Sequence, residues 1–198
     1  PSPLNGFDLF NYMALIVCAR ARDYAEITFH KFADELEAKD AAGQYAFGAP
    51  ENEKHRVTWE GIAVWTYLGA TFKGLKNQGA VMTGSAYPGL WSLVYTPGDL
   101  ESMAEAYTNV YINTCGPNRY EEFYKVVKNS KSDGIVLHLN RSCKLMGLLN
   151  NEGAEYVNAK LGVPYVSFDG DQTDPRVFTP AQYETRVQAL TEMMDENQ

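Results

Sequence analysis

The sequence predicts a three-layer α/β protein with a parallel sheet of about four strands, preceded by helices. Short β-branched or apolar runs bounded by glycine or charged residues recur between positions 55 and 168, and each is followed by a stretch long enough for a helix. Strands separated by helices do not pair as hairpins. Right-handed crossovers then place them in parallel with helices on both faces, in a flavodoxin-like topology.

Residues 7–39 carry Leu9, Phe10, Met13, Ala14, Ile16 and Val17, then Tyr24, Ile27, Phe32 and Leu36, at the spacing of two helices. Residues 43–53 hold Gly, Pro and charges without periodicity, which divides a helical segment over 1–53 from an α/β domain over 54–198. Residues 55–61 read as a strand running into a glycine turn, and 64–75 as a helix. The run 79–84 is apolar between two glycines and suits a strand buried on both faces, while 87–97 reads as aromatic loop. Asp99 is placed to cap a helix through Asn113, Gly116-Pro117 breaks it, and a second helix reaches about Asn129. Residues 133–139 form the expected central strand, 142–161 a helix and 163–168 the last strand; Thr179-Pro180 opens the closing helix. Ligands in such sheets bind beyond the carboxyl ends of the strands, so Glu60 and the loops 83–87, 140–144 and 169–174 are expected to converge.

Composition narrows the function. Seventeen basic against twenty-five acidic residues give a net charge of -8, which repels polynucleotides and anionic membrane surfaces. No run of eighteen apolar residues is present, and the opening Pro1-Ser-Pro-Leu-Asn-Gly6 lacks the pattern of a secretory signal. That opening reads as a cut in a linker of a longer polypeptide. Cys18, Cys115 and Cys143 are widely spaced with no CxxC pair, so neither a disulfide framework nor a self-contained zinc or iron-sulfur site is expected, and a metal centre here needs ligands from elsewhere.

Two stretches are more specific: Asp133-Gly-Ile-Val-Leu-His-Leu-Asn-Arg-Ser-Cys-Lys144, and Leu161-Gly-Val-Pro-Tyr-Val-Ser-Phe-Asp-Gly-Asp171 continuing to Asp174-Pro-Arg176. Together with Gln182-Tyr-Glu-Thr-Arg186 they resemble, in order and spacing, the carboxyl-terminal part of the 2-hydroxyglutaryl-CoA dehydratase D-component family, which also includes benzoyl-CoA reductase subunits. The likeness is greatest to the alpha-type subunit. It implies a cytoplasmic, oxygen-sensitive lyase of anaerobic amino-acid fermentation, acting with a second dehydratase subunit as a heterodimer. Each subunit of that family holds a 4Fe-4S cluster through three cysteines, and an ATP-dependent iron-sulfur activator protein delivers one electron. A (R)-2-hydroxyacyl-CoA, with 2-hydroxyglutaryl-CoA a candidate, then loses water through a ketyl radical to give the enoyl-CoA. A benzoyl-CoA reductase-type subunit and a non-catalytic scaffold subunit are the rival readings.

The resemblance makes Cys143 the expected cluster ligand. It lies just past a strand end, on the first turn of a helix and between Arg141 and Lys144, where positive charge and the helix dipole favour thiolate. A half-buried, merely packed cysteine is the alternative. Asn140, Arg141, Ser142 and Asp171 are the expected substrate contacts. Glu60 is a candidate to orient substrate or act on a proton, with a buried, paired carboxylate the competing reading. Cys18, on an apolar helical face, and Cys115, before the helix break, read as structural. Asp169, Asp171 and Asp174 fail the EF-hand spacing and read as a hydrogen-bonded strand-end loop. His138 reads as a hydrogen-bonded core imidazole. Gly69 to Gly74 imitates a P-loop, but Leu75 stands where lysine is needed. Tyr87, Trp91 and Tyr95 are candidates to line an acyl or pantetheine channel.

Overall fold

A computed structural model describes residues 1–197. Its elements in chain order are α1 (Gly6–Cys18), α2 (Asp23–Ala41), β1 (His55–Glu60), α3 (Leu68–Asn77), β2 (Ala80–Ser85), α4 (Ala86–Gly89), α5 (Leu100–Thr108), α6 (Gly116–Asn129), β3 (Gly134–Asn140), α7 (Lys144–Gly147), α8 (Asn150–Leu161), β4 (Tyr165–Gly170) and α9 (Pro180–Glu196). The four strands are all parallel in the order β2-β1-β3-β4. The expected α/β architecture is therefore present, and β1 joins β3 in the sheet interior.

Strand alternation sends side chains to two faces. On one, Val57, Trp59, Met82, Val136 and Phe168 pack with Phe7 and Phe10 of α1, Leu75 of α3, and Tyr183, Val187 and Leu190 of α9. On the other, Ile135 and Leu137 pack with Phe123 and Val127 of α6 and Ala154 and Val157 of α8. Trp59 anchors the first face: it is fully buried, with its ring centroid 5.5 Å from those of Phe7 and Phe168. Helix α1 thus shares the core of the sheet, whereas α2 buries only Ala25 and stacks Phe32 on Tyr12 of α1. Among the described residues no helix is long and apolar enough to cross a membrane.

Helix ends differ from expectation where side chains capture carbonyls. The helix expected over 99–113 stops at Thr108, because the amides of Asn109 and Asn113 donate to the carbonyls of Glu105 and Tyr107. The helix expected over 142–161 is split into α7 and α8. Arg119 takes the carbonyls of Leu145 and Met146, which an unbroken helix would give to the amides four residues on. The aromatic loop begins as the single turn α4, capped by the Ser85 hydroxyl accepting from the Tyr87 N–H.

Gly61 closes β1 at φ 103°, and a Cβ there would stand 2.5 Å from the His138 carbonyl oxygen of β3. Gly61→Ala combines left-handed strain with a backbone clash, and a loss of about 2 kcal/mol or more is expected in urea unfolding of the purified protein. An unchanged midpoint would show that this close approach is dispensable.

Candidate functional site

The sheet runs from β1 outward to β2, then returns to lay β3 on the other side of β1. The crevice at such a reversal lies beyond the carboxyl ends of β1 and β3. Glu60 ends β1, and alternation points it away from Trp59, toward α6. It is fully buried. Its Oε1 accepts from the Tyr111 hydroxyl at 2.8 Å and lies 3.7 Å from the Arg119 guanidinium, while Oε2 has no hydrogen-bond partner. Burial dominates and pushes the carboxyl up to about 7, against the opposing pull of Arg119 and the Tyr111 hydrogen bond.

Arg119 is itself 2% exposed. Besides the carbonyls of Leu145 and Met146 it donates to the Asn150 Oδ1 at 3.0 Å, and its guanidinium sits 4.7 Å from the Tyr111 ring centre. Glu60, Tyr111 and Arg119 thus form a buried ion-pair cluster joining β1, the 109–115 turn, α6 and the α7–α8 junction. The alternative reading of Glu60 as a paired buried carboxylate matches this geometry.

The β3 end is tied to the β4 end by side chains. Buried Asn140 accepts from the N–H groups of Ser142 and Gln172 and donates to the Gln172 side chain. The Ser142 hydroxyl donates to Asp171, whose other oxygen accepts from the Thr173 and Asp174 amides, both at 2.9 Å. These donors, the Ser142 hydroxyl first, hold the Asp171 carboxyl far below the usual carboxylate range. The exposed Arg141 lies 3.4 Å from Asp169. Asp174 pairs with Arg176.

Cys143 is half-buried and free, packed against the main core. Its N–H donates to the Asn140 carbonyl, its own carbonyl accepts from Gly147, and its side chain caps no helix amide. It precedes a helix of one turn, so the dipole of a long helix, invoked above, is largely absent. Cys18 and Cys115 are exposed thiols, not packed ones. Among the described residues no group of three or more His, Cys, Asp or Glu side chains is placed to hold a metal ion. His138 is buried, bonded through Nδ1 to the Ile62 carbonyl and stacked on Phe168; burial lowers its affinity for a proton.

Of the aromatic run, Tyr87 packs on Phe10, and Trp91 lines a mainly apolar cavity of about 390 Å³ with Val17, Leu93, Tyr107, Val110 and Ile112. Sequence reasoning did not find Tyr111, Arg119 or Asn150. Their hydrogen-bond and ion-pair partners lie 26 to 59 positions away and obey no local spacing, and the Gly116-Pro117 helix start was the nearest signal.

The chain matches the family described as 2-hydroxyglutaryl-CoA dehydratase, D-component, over residues 1–194. It is 62% identical to the lactoyl-CoA dehydratase subunit alpha of Anaerotignum propionicum, over all of this chain and 47% of that protein. Identity is 44% to the (R)-2-hydroxyisocaproyl-CoA dehydratase alpha subunit of Clostridioides difficile, over 99% of this chain and 48% of that protein. It is 40% to the (R)-2-hydroxyglutaryl-CoA dehydratase subunit alpha of Acidaminococcus fermentans, over 100% of this chain and 40% of that protein. The chain spans about half the length of these curated relatives.

Glu60 holds its proton in the folded protein at pH values where the unfolded chain has released it. The stability this contributes is complete below the ordinary value of 4.5 and is lost as pH rises through about 7. For a shift of that size the loss is about 3 kcal/mol. Urea unfolding of wild type between about pH 4.5 and about pH 8 should show this decline, and Glu60→Gln should flatten it. Identical pH profiles for the two proteins would contradict the buried, protonatable carboxyl.

Proposed function

This chain belongs to the 2-hydroxyglutaryl-CoA dehydratase D-component family, and on that premise we propose that it is part of the alpha-type subunit of a 2-hydroxyacyl-CoA dehydratase. The reaction is loss of water from a (R)-2-hydroxyacyl-CoA to give the enoyl-CoA by way of a ketyl radical, with the electron regained at the end of the turnover. A second dehydratase subunit and an ATP-hydrolysing iron-sulfur activator protein are the partners. The 62% identity to the lactoyl-CoA enzyme, against 40% to the glutaryl enzyme, supports a short uncharged acyl group.

The observation that carries this reading is Cys143: a free, half-buried thiol on the Asn140-to-Lys144 loop, at the mouth between β1 and β3. It fits one ligand of a 4Fe-4S cluster. Because the described residues form no group of three or more candidate metal ligands around it, the remaining cysteines must come from outside these residues. The cluster, when bound, supplies a one-electron carrier and an iron with an open position for a substrate oxygen. This chain's residues hold the loop: Asn140 fixes the Cys143 backbone, while Ser142 and Asp171, whose charge its hydrogen-bond donors stabilise, lock β3 to β4. Their polar groups are engaged with one another, so they shape the substrate mouth by setting its backbone. Arg141, exposed like Ser142 and Lys144 of the same loop, is placed to meet an anionic part of the CoA. The cavity beside Trp91 suits an acyl or pantetheine arm.

The test is iron and acid-labile sulfide analysis of the full-length subunit purified without oxygen, beside Cys143→Ala. Replacement should cost most of the bound iron and abolish dehydration of lactoyl-CoA. Undiminished iron would reduce Cys143 to a packed thiol and leave a scaffold subunit as the better reading.

A further inference from the structure

A guanidinium buried to 2% exposure carries a desolvation penalty of several kcal/mol. Arg119 offsets it by donating to three oxygens that all belong to one short segment: the carbonyls of Leu145 and Met146 and the Asn150 side chain. A fourth contact runs from its Nη2 to the Met146 sulfur at 3.8 Å. These acceptors begin two residues after Cys143 and end at the first residue of α8. The same Nη2 also lies 3.7 Å from Glu60, and the guanidinium carbon sits 4.7 Å from the Tyr111 ring centre. Arg119 is therefore a strut. Its base is the end of β1 and α6, and its tip grips the segment 145–150.

The segment has little else to fix it. Helix α7 is a single turn with no side-chain cap, and Leu145 and Leu148 are 63% and 72% exposed, so apolar burial contributes through Met146 alone of α7. Neither α7 nor the start of α8 has a capping side chain at its amino end. Taking the carbonyls of Leu145 and Met146 also ends α7 early, leaving Cys143 before a single turn instead of on a long helix. An apolar residue of similar volume would carry no burial penalty, yet it would leave those two carbonyls without their donor.

We propose that Arg119, braced by Glu60 and Tyr111, is a positioning residue that sets the direction of the Cys143 thiol by gripping the segment that follows it. This rests on the reading of Cys143 as a ligand, but the geometric claim is separable from ligation, because it concerns the loop with or without iron. Lysine keeps the charge but presents one ammonium where the fork spans three oxygens, so it does not substitute.

The experiment uses the full-length subunit prepared without iron, comparing wild type with Arg119→Met, Arg119→Lys and Asn150→Ala. Two quantities are read: the alkylation rate of Cys143 by peptide-resolved mass spectrometry, and amide exchange of peptides covering 143–150 and 134–140. Arg119→Met should raise the alkylation rate about tenfold and remove protection over 143–150, leaving the β3 peptide protected. Arg119→Lys should behave alike, and Asn150→Ala, which removes one acceptor, should give a smaller change of the same kind. Rates within twofold of wild type in the folded variants, or protection lost equally in β3, would overturn the proposal. If Arg119→Met does not fold, Asn150→Ala decides it alone by the same two readings. Ligation is judged independently by the iron content of Cys143→Ala: failure there with a positive strut result would retire the cluster reading and keep the strut.

Discussion

The parallel pairing of β1 with β3 is the interaction on which the rest of the structure depends. Val57 to Glu60 stand opposite Gly134 to Leu137, and the backbones come so close at the upper end that only glycine fits at position 61. Because β2 lies on the far side of β1, the chain diverges at this pair, and divergence opens the crevice. Strand alternation then fixes what each face receives: Trp59 enters the aromatic core with α1 and α9, and Glu60 enters the polar cluster under α6.

Two carboxylates near the crevice are driven in opposite directions by their surroundings. Asp171 sits among a hydroxyl and two amide donors, which stabilise its charge, so it ties the two loops together across the whole physiological pH range. Glu60 has a guanidinium and a phenol nearby but is cut off from water, and one of its oxygens has no donor at all. The first is a fixed anchor of the Cys143 loop. The second is a counter-ion whose charge is finely balanced, sitting at the base of the element that braces the same loop from the opposite side.

The sheet was legible because its signals are local. An apolar run between glycines, as at Ala80 to Thr83, or a β-branched run, as at Ile135 and Val136, reads as a strand buried on both faces whatever its partner. Helix ends were most legible where the terminating residue is itself the signal, as with Pro180 or Gly162. They were misjudged at Thr108 and Gly147, where the terminating agents are the amides of Asn109 and Asn113 and a guanidinium 26 positions away from its first acceptor. The same distinction governs the site. Cys143 and its loop could be found from a contiguous motif, and Glu60 from its place at a strand end. The ion pair that joins Glu60 to Arg119 is a property of the folded chain, since its members stand 59 positions apart and nothing between them announces it.

The order of strands also bears on how the chain acquires its shape during synthesis. Val57 finds its partner Gly134 only after 77 further residues have been made, whereas His55 meets Ala80 of β2 after 25. During synthesis the β1 edge that receives β3 therefore has no partner until β3 has been made. Parallel pairing over such a separation is slow, and an open apolar edge invites association with other chains. The separation of β1 from β3 along the chain is thus the feature of this sheet that slows its completion.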